Sequence, residues 1–437
     1  MRNRYTNLGW LITILVAIIP VALWLAAMPS QWNTPKLIFD NIGRLAGLAG
    51  MSLFAWNVIL SARLKIYNKL FMGLDNTYRA HHIIGSLAYI LLLIHPVAIA
   101  YRYFLSSPMA AFEFLKPSFA SPFSALGSIT LFSMSALMLV TLYMNVKYER
   151  FVLAQRLLGL LLFFGGIHAI FVGSSDLGIN SGLLALQAYI FGLIILAGVV
   201  YVYRSIFHGN FSKYYQYSLA SVTSFGDIYE LKLTPIGKPM AYLPGQFAFI
   251  KAEADGVLGQ SHPFSMSGAS TDTGEPAIKF GIKSLGDYTK LMAEAKVGLK
   301  IKVDGPYGTF SNKVILNRRQ IWVAGGIGIT PFVAMAEALD DSQRVDLYYS
   351  TKTAQEAAYL PKLKQIARFK TNLTIIPFTA NTNGFLTADY IFKTSSDLTG
   401  ASFMICGPQL MMTNLKEQLK AMGVINKNIN TEEFYLA

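Results

Sequence analysis

The sequence predicts a bundle of six membrane-spanning helices followed by a small antiparallel β-barrel and a doubly wound parallel α/β domain. Three observations carry this expectation. Of the 437 residues, 53% are hydrophobic and only 14% charged, too apolar for a uniformly soluble chain of this length. The apolar residues gather before about residue 210 into six runs, each long enough to cross a hydrocarbon core of ~30 Å. Beyond that point the pattern becomes short β-branched and aromatic runs between Gly/Pro turns, and after Arg318 strands alternate with helical stretches.

The six runs lie at residues 8–27, 43–60, 83–103, 126–143, 153–172 and 182–206. The first follows Arg2 and Arg4 as a signal peptide would. It is long, however, and passes into Met28-Pro29-Ser30-Gln31-Trp32 with no small-residue cleavage pattern, so it reads as a retained span. Arg63, Lys65, Lys69 and Arg79 lie between the second and third runs; Lys147, Arg150 and Arg156 lie around the join of the fourth and fifth; Arg204 and Lys213 follow the sixth. The other loops are poor in Lys and Arg, so the positive-inside rule places both termini in the cytoplasm of a multi-pass cell (inner) membrane protein surrounded by lipid. Topology thereby accounts for the net charge of +13. A nucleic-acid partner is not expected, because no basic cluster is interleaved with aromatics. The single cysteine, Cys406, excludes an internal disulfide framework, a CxxC redox pair and a cysteine-ligated cluster.

The third run, in "RAHHIIGSLAYILLLIHP", holds three of the six histidines. An ionisable group inside a span is costly and points to function; the plainer alternative is an interhelical hydrogen bond. On an ideal helix His81 and His95, fourteen residues apart, fall within about 40° of one face and ~21 Å apart along the axis, while His82 points away. In the fifth run, "AQRLLGLLLFFGGIHAIF", His168 lies at the depth of His95, so the two could be opposite axial ligands of one haem iron. Gln155 lies at the depth of His81, and Gly85 and Gly159 follow at the same offset, where a flat macrocycle could approach the backbone. The thirteen-residue interval from Gln155 to His168 requires a local bulge near Gly165-Gly166.

With this arrangement the chain resembles the ferric reductase-like transmembrane superfamily, which contains the NADPH oxidases and ferric-chelate reductases. The resemblance implies two b-type haems between the third and fifth helices, the outer on His95 and His168 and the inner on His81. It also implies that Arg44 and Arg63 lie near haem propionates, although Arg63 serves equally as an orientation signal. Gln155 departs from the pattern. Its amide oxygen is a poor ligand, so an inner haem would be five-coordinate, weakly six-coordinate, rearranged onto His82, or absent. The expectation adopted is an inner haem with weaker ligation.

The second half extends the resemblance to a ferredoxin-reductase-type module, with an FAD-binding β-barrel and a nucleotide-binding α/β domain. The domains are then 1–210, 211–316 and 317–437. "HPFSMSG", residues 262–268, follows the strand "GQFAFIK" and resembles the flavin-binding HPF[ST] signature. His262, Pro263, Phe264, Ser265 and Ser267 would shape and hydrogen-bond the isoalloxazine, although hydroxyls at a strand end are usually turn residues. In "GIKSLGDYT", Lys283 and a helix start at Gly286 and Thr289 would hold the FAD pyrophosphate. "VAGGIGITPF" lacks the GxGxxG spacing but resembles the GGxGxTP nicotinamide signature, with Gly325, Gly326 and Gly328 clearing a pyrophosphate's path before Thr330 and Pro331. "CGP", Cys406, Gly407 and Pro408, resembles the second nicotinamide-side motif. Ser350 and Lys352 in "YYSTKT" tilt the expectation to NADPH over NADH, and Phe434 in the terminal "EEFYLA" would stack on the flavin.

The implied activity is transfer of electrons from cytoplasmic NAD(P)H through FAD and haem to an acceptor across the membrane. Residues assigned to chemistry are Arg44, Cys406 and Phe434, and the acceptor is dioxygen, giving superoxide, or a ferric chelate. A different class of function is an electron-donating or redox-sensing subunit for a partner protein.

Overall fold

The computed structural model describes residues 2–27, 32–62, 65–71, 73–117, 121–144, 148–177, 181–207, 214–254, 256–270, 276–315 and 317–432. Arg63 and Phe434 lie outside the described residues. The chain divides into two compact units, Met1–Ser212 and Lys213–Ala437.

The first unit is helical: α1 (Arg2–Ala27), α2 (Pro35–Leu60), the short α3 (Lys65–Leu70), α4 (Leu74–Phe104), α5 (Pro108–Leu115), α6 (Pro122–Tyr143), α7 (Tyr148–Leu177) and α8 (Ser181–Val202), closing in a π-turn at Tyr203–Phe207. Six of these are long and apolar enough to cross a membrane. Helix α2 starts at Pro35, ahead of its apolar run. Thr34 caps it by accepting the Leu37 amide proton at 3.4 Å, and Pro35 fits the first turn, whose N–H needs no partner. The added turn carries Asp40 and Asn41, polar yet buried, which an apolar-run criterion passes over. Helix α2 is the hub: α1, α4 and α8 pack on it, and Leu53, Ala55 and Leu60 are among its fully enclosed side chains. Helix α4 packs on α2, and α7 on α6 and α8, without close backbone packing between α4 and α7. Helix α7 is unbroken from Tyr148 to Leu177, so the bulge expected at Gly165-Gly166 is not formed. Those glycines instead admit neighbours, Met51 and Thr130 against Gly165 and Ile194 against Gly166.

The second unit starts with a closed barrel of β1 (Tyr215–Phe225), β2 (Ile228–Pro235), β3 (Phe247–Ala252), β4 (His262–Ser270), β5 (Ala277–Lys283) and β6 (Lys300–Tyr307) in the order β1-β2-β5-β4-β3-β6. All pairings are antiparallel, and β1 closes on β6 with Tyr217 opposite Ile301. Side chains alternating inward, among them Leu231, Leu233, Ile250, Phe280, Ile301 and Val303, fill it. The short α9 (Asp287–Ala293) follows β5. The remainder is a parallel sheet, β11-β10-β7-β8-β9, of β7 (Arg319–Gly325), β8 (Arg344–Thr351), β9 (Leu373–Thr379), β10 (Ser402–Cys406) and β11 (Ile429–Glu432). Its helices are α10 (Thr330–Glu337), α11 (Leu360–Phe369), α12 (Ala380–Asn383), α13 (Ala388–Thr394) and α14 (Gln409–Ala421). The strand order runs outward from β7 to β9 and then returns to β10 on its other side. The carboxyl ends of β7 and β10 therefore border the topological switch point, where ligands bind in open α/β sheets.

Candidate cofactor sites

In the helical unit, the imidazoles of His95 (α4) and His168 (α7) face one another with ring centroids 6.2 Å apart and planes at 72°. Two metal–nitrogen bonds of about 2 Å and two half-widths of an imidazole ring span roughly this distance. Both rings are held the same way. Nδ1 of His95 lies 2.8 Å from the Gly43 carbonyl oxygen and Nδ1 of His168 2.8 Å from that of Phe123. Donation from Nδ1–H leaves the Nε2 lone pair of each ring available to a metal. Among the described residues no group of three or more His, Cys, Asp or Glu side chains converges on a metal position. A metal held by this pair would therefore draw its other ligands from a prosthetic group.

Two glycines make room for these rings. A Cβ on Gly47 would lie 2.6 Å from Nδ1 of His95, and one on Gly127 2.5 Å from the His168 ring. The glycines singled out in the sequence do something else. A Cβ on Gly85 would meet the Asn57 side-chain nitrogen at 2.7 Å, and one on Gly159 would overlap the Tyr201 ring, so both serve helix packing rather than a macrocycle.

Arg44 pairs with Asp40 at 2.9 Å, and Arg102 reaches the other oxygen of the same carboxylate at 3.0 Å. This joins α2 to α4 one residue from Gly43, the hydrogen-bond partner of His95. The Asp40/Arg44 i,i+4 spacing was visible in the sequence; Arg102, sixty-two residues from Asp40, was not. Asp40→Ala is expected to lower stability by about 2 kcal/mol, below the full cost of breaking a buried pair because the guanidiniums are roughly a third exposed. Thermal melting of the detergent-solubilised protein, compared with Asp40→Glu, checks it.

In the barrel, "HPFSMSG" opens β4 rather than ending a strand: Pro263, Phe264 and Ser265 pair with Phe249, Ala248 and Phe247 of β3. Both faces of this strand are covered, so Ser265 and Ser267 are buried. Ser267 donates to Glu230 at 3.3 Å, whereas the Ser265 hydroxyl has no hydrogen-bond partner in the protein. A buried orphan hydroxyl calls for a ligand or water, and it stands where a flavin edge is expected. His262 stacks on Tyr288 of α9 with centroids 4.0 Å apart, and Phe264 lies 6.1 Å from the same ring. Burial lowers the pKa of His262, favouring its neutral form. The expected pyrophosphate contacts are otherwise engaged. Lys283 pairs with Asp227 at 2.9 Å, and the Thr289 hydroxyl accepts from the Leu285 and Gly286 amides, each at 3.0 Å.

At the switch point the two glycine motifs interlock. A Cβ on Gly325 would lie 2.7 Å from the Pro408 ring, one on Gly407 2.9 Å from the backbone of Gly325, and one on Gly328 would overlap the Cys406 carbonyl. Gly325 and Gly328 thus bring β7 and β10 together. Of the three, Gly326 faces open space, with φ +53. Thr330 is buried and donates to the Ile327 carbonyl at 3.1 Å, with Pro331 at the start of α10. Ser350 lies beside Gly325 in register, half-buried, and Lys352 is exposed. Cys406 is fully buried, and burial, reinforced by Glu432, raises its thiol well above the usual range, so it stands as a neutral packing group.

A further cluster joins barrel and sheet. Lys362 of α11 lies 2.9 Å from Glu337 of α10 and 3.6 Å from Glu230 of β2. Tyr359, fully buried, donates to Glu230 at 3.3 Å. Glu230 lies more than a hundred residues from both Tyr359 and Lys362, so its part in the cluster left no local signal.

Comparison with known families and proteins gives a consistent division. Residues 46–166 match the family described as "Ferric reductase like transmembrane component", a stretch that includes His81 and His95 and ends just before His168. Residues 214–311 match an FAD-binding domain and 322–417 an oxidoreductase NAD-binding domain. Among curated relatives, Flavohemoprotein A of Dictyostelium discoideum is 27% identical over 215 residues, covering 45% of this chain and 54% of that protein. The ferredoxin reductase component of 3-ketosteroid-9-alpha-monooxygenase from Mycolicibacterium smegmatis is 27% identical over 201 residues, 45% of this chain and 56% of the relative. The chain thus spans just over half the length of these relatives. Among solved structures, a flavohemoglobin from Malassezia yamatoensis with bound FAD and heme aligns with a TM-score of 0.47 at 18% identity, covering 90% of this chain and 98% of that one.

Proposed function

On the premise that this chain has the ferric reductase-like architecture, a transmembrane component joined to FAD-binding and NAD-binding oxidoreductase domains, we propose that it carries electrons from cytoplasmic NAD(P)H across the membrane to dioxygen, producing superoxide. The observation that carries the reading is the His95–His168 pair, facing at 6.2 Å in a chain that also has flavin and nicotinamide domains. Bound FAD would accept a hydride and yield electrons singly, as b-type haem between the two imidazoles requires.

The chain's own residues supply binding and placement. The carbonyls of Gly43 and Phe123 fix the tautomer and aim of the two imidazoles. Arg44 and Arg102, locked by Asp40, put one net positive charge beside them, suited to a propionate or to an acceptor that becomes anionic on reduction. Ser265 offers its unpartnered hydroxyl to the flavin edge, with Phe264 and Pro263 as its wall. Gly326 admits the nucleotide pyrophosphate, and Ser350 with Lys352 favours a 2′-phosphate and hence NADPH. The distribution of Lys and Arg supports cytoplasmic termini. The same positive charge at the outer pair also suits an anionic ferric chelate, which is the second reading.

The test is NADPH oxidation by the purified protein with oxygen as sole acceptor, followed by cytochrome c reduction with and without superoxide dismutase. Dismutase-sensitive turnover is expected. Turnover on ferric citrate without oxygen-dependent turnover would replace the oxidase reading with the ferric-chelate one.

A further inference from the structure

We infer that Lys362, held between Glu230 and Glu337, is a positioning residue for hydride transfer: it ties the barrel to the sheet and so sets the glycine turn that receives the nicotinamide against the flavin strand. The inference rests on the reading above, in which bound FAD takes a hydride, two electrons with one proton, from NAD(P)H and leaves oxidised nicotinamide. The seam draws on both sides. Glu230 of β2 belongs to the barrel and is buried, while Glu337 ends α10 and Lys362 lies on α11, both of the sheet domain. The Lys362 nitrogen lies 2.9 Å from the Glu337 carboxylate and 3.6 Å from that of Glu230. Among the described residues it has neither a hydrogen-bond partner nor appreciable solvent contact, so charge alone holds it. Two carboxylates share this one ammonium. Removing it leaves like charges from the two domains close together in a largely dry seam, where their repulsion is little screened.

The seam lies on the elements that carry both nucleotide sites. Glu230 accepts from Ser267 of β4 at 3.3 Å, two residues past Ser265, whose hydroxyl is offered to the flavin edge, and from Tyr359 on the sheet side at 3.3 Å. Two glycines let side chains of the sheet domain seat directly on the barrel: a Cβ on Gly268 would overlap the Glu337 carboxylate, and one on Gly281 would lie 2.5 Å from the Tyr359 hydroxyl. Helix α10 packs along β4. It starts at Thr330, beside the glycine turn, and ends at Glu337 against Gly268, a span of about 10 Å. A shift at Glu337 is therefore carried by one short helix to the turn. Misplacing reacting atoms by about 1 Å costs on the order of 100-fold in rate, whereas the groups offered to FAD are untouched.

The full-length protein, purified in detergent and saturated with FAD, is mixed with NADPH in an anaerobic stopped-flow cell. Flavin bleaching is followed together with the long-wavelength charge-transfer absorbance given by a stacked flavin and nicotinamide. Lys362→Met is expected to slow bleaching ~10- to 100-fold and to weaken the charge-transfer band, with FAD affinity, read from flavin fluorescence on titration into apoprotein, unchanged. Lys362→Arg should keep the wild-type rate, as should Lys364→Met, which removes an exposed lysine from the same helix. Glu230→Gln leaves the Lys362–Glu337 pair in place and should slow bleaching less. Combined with Lys362→Met it should restore part of the rate, because one of the two facing carboxylates is gone; two independent losses would add instead. A wild-type rate in either Lys362→Met or Glu230→Gln, a double variant slower than Lys362→Met, slowing by Lys364→Met equal to that by Lys362→Met, or a fall in FAD affinity matching the fall in rate would overturn the inference. Should Lys362→Met fail to fold, Glu230→Gln decides by itself. A wild-type flavin that NADPH does not bleach would overturn the hydride-transfer reading itself.

Discussion

On the proposed reading, in which His95 and His168 hold a haem, Gly127→Val is expected to remove that haem nearly as completely as His168→Ala, although Gly127 ligates nothing. A Cβ at this position would lie 2.5 Å from two atoms of the His168 ring, and the branched methyls of valine add further bulk on the same side. The ring cannot retreat without giving up its bond to the Phe123 carbonyl, which sets its tautomer and aim. Loss of such a supporting contact lowers metal affinity on the order of 10- to 100-fold, and here the ligand itself is displaced as well. The measurement is the low-spin reduced spectrum of the purified protein together with its haem ratio, and NADPH-dependent bleaching of the flavin should persist. Gly192→Val is the control: nothing lies within 4 Å of a Cβ there, so its haem spectrum should match wild type. Equal spectra for Gly127→Val and wild type would show that the His168 ring is not confined as described.

The second large effect separates two glycines of one motif. Gly328→Ala is expected to destabilise the second unit by about 3 kcal/mol, a loss of roughly 6–12 °C in melting temperature for a unit of this size. Its Cβ would meet the Cys406 carbonyl and, at 2.8 Å, the Gly407 nitrogen. Those are backbone atoms in the parallel pairing of β7 with β10, which cannot rotate aside as a side chain can. Gly326→Ala meets no atom within 4 Å, so its cost is the left-handed backbone alone, about 1–2 kcal/mol. Its methyl projects at the switch point instead, and the expected effect is on the order of a tenfold rise in KM for NADPH (~1.4 kcal/mol of binding). Calorimetry and steady-state kinetics on the pair check this. Similar melting temperatures with similar KM values would mean that the two positions are not distinguished as the fold implies.

How much of the site could be read beforehand follows from the range of each interaction. Six apolar runs, the change of period after them, and histidines fourteen residues apart on one helix face are local patterns, governed by the spacing of residues on a helix or strand. They were sufficient for the architecture and for placing His95 and His168 at one depth, where their rings lie 6.2 Å apart. The motifs "HPFSMSG", "VAGGIGITPF" and "CGP" were legible as stretches, but the role of each residue in them was not. Gly325 and Gly328 looked like clearance for a ligand; a Cβ on Gly325 would meet the Pro408 and Met411 side chains, and one on Gly328 the backbone of Cys406 and Gly407. Lys283 looked free to bind a phosphate and is paired with Asp227.

The inner station shows the division most clearly. The sequence alone determined that His81 is matched by no second histidine on the fifth span, since residue identity needs no coordinates. It offered Gln155 as the counterpart by its depth and by the matching offset to glycine, on the condition of a bulge near Gly165-Gly166. In the folded chain neighbours from α2, α6 and α8 pack against Gly165 and Gly166, and α7 runs there as an unbroken helix without that bulge. A helix's phase is set over its whole length by packing on other helices, and no local window of sequence contains that information.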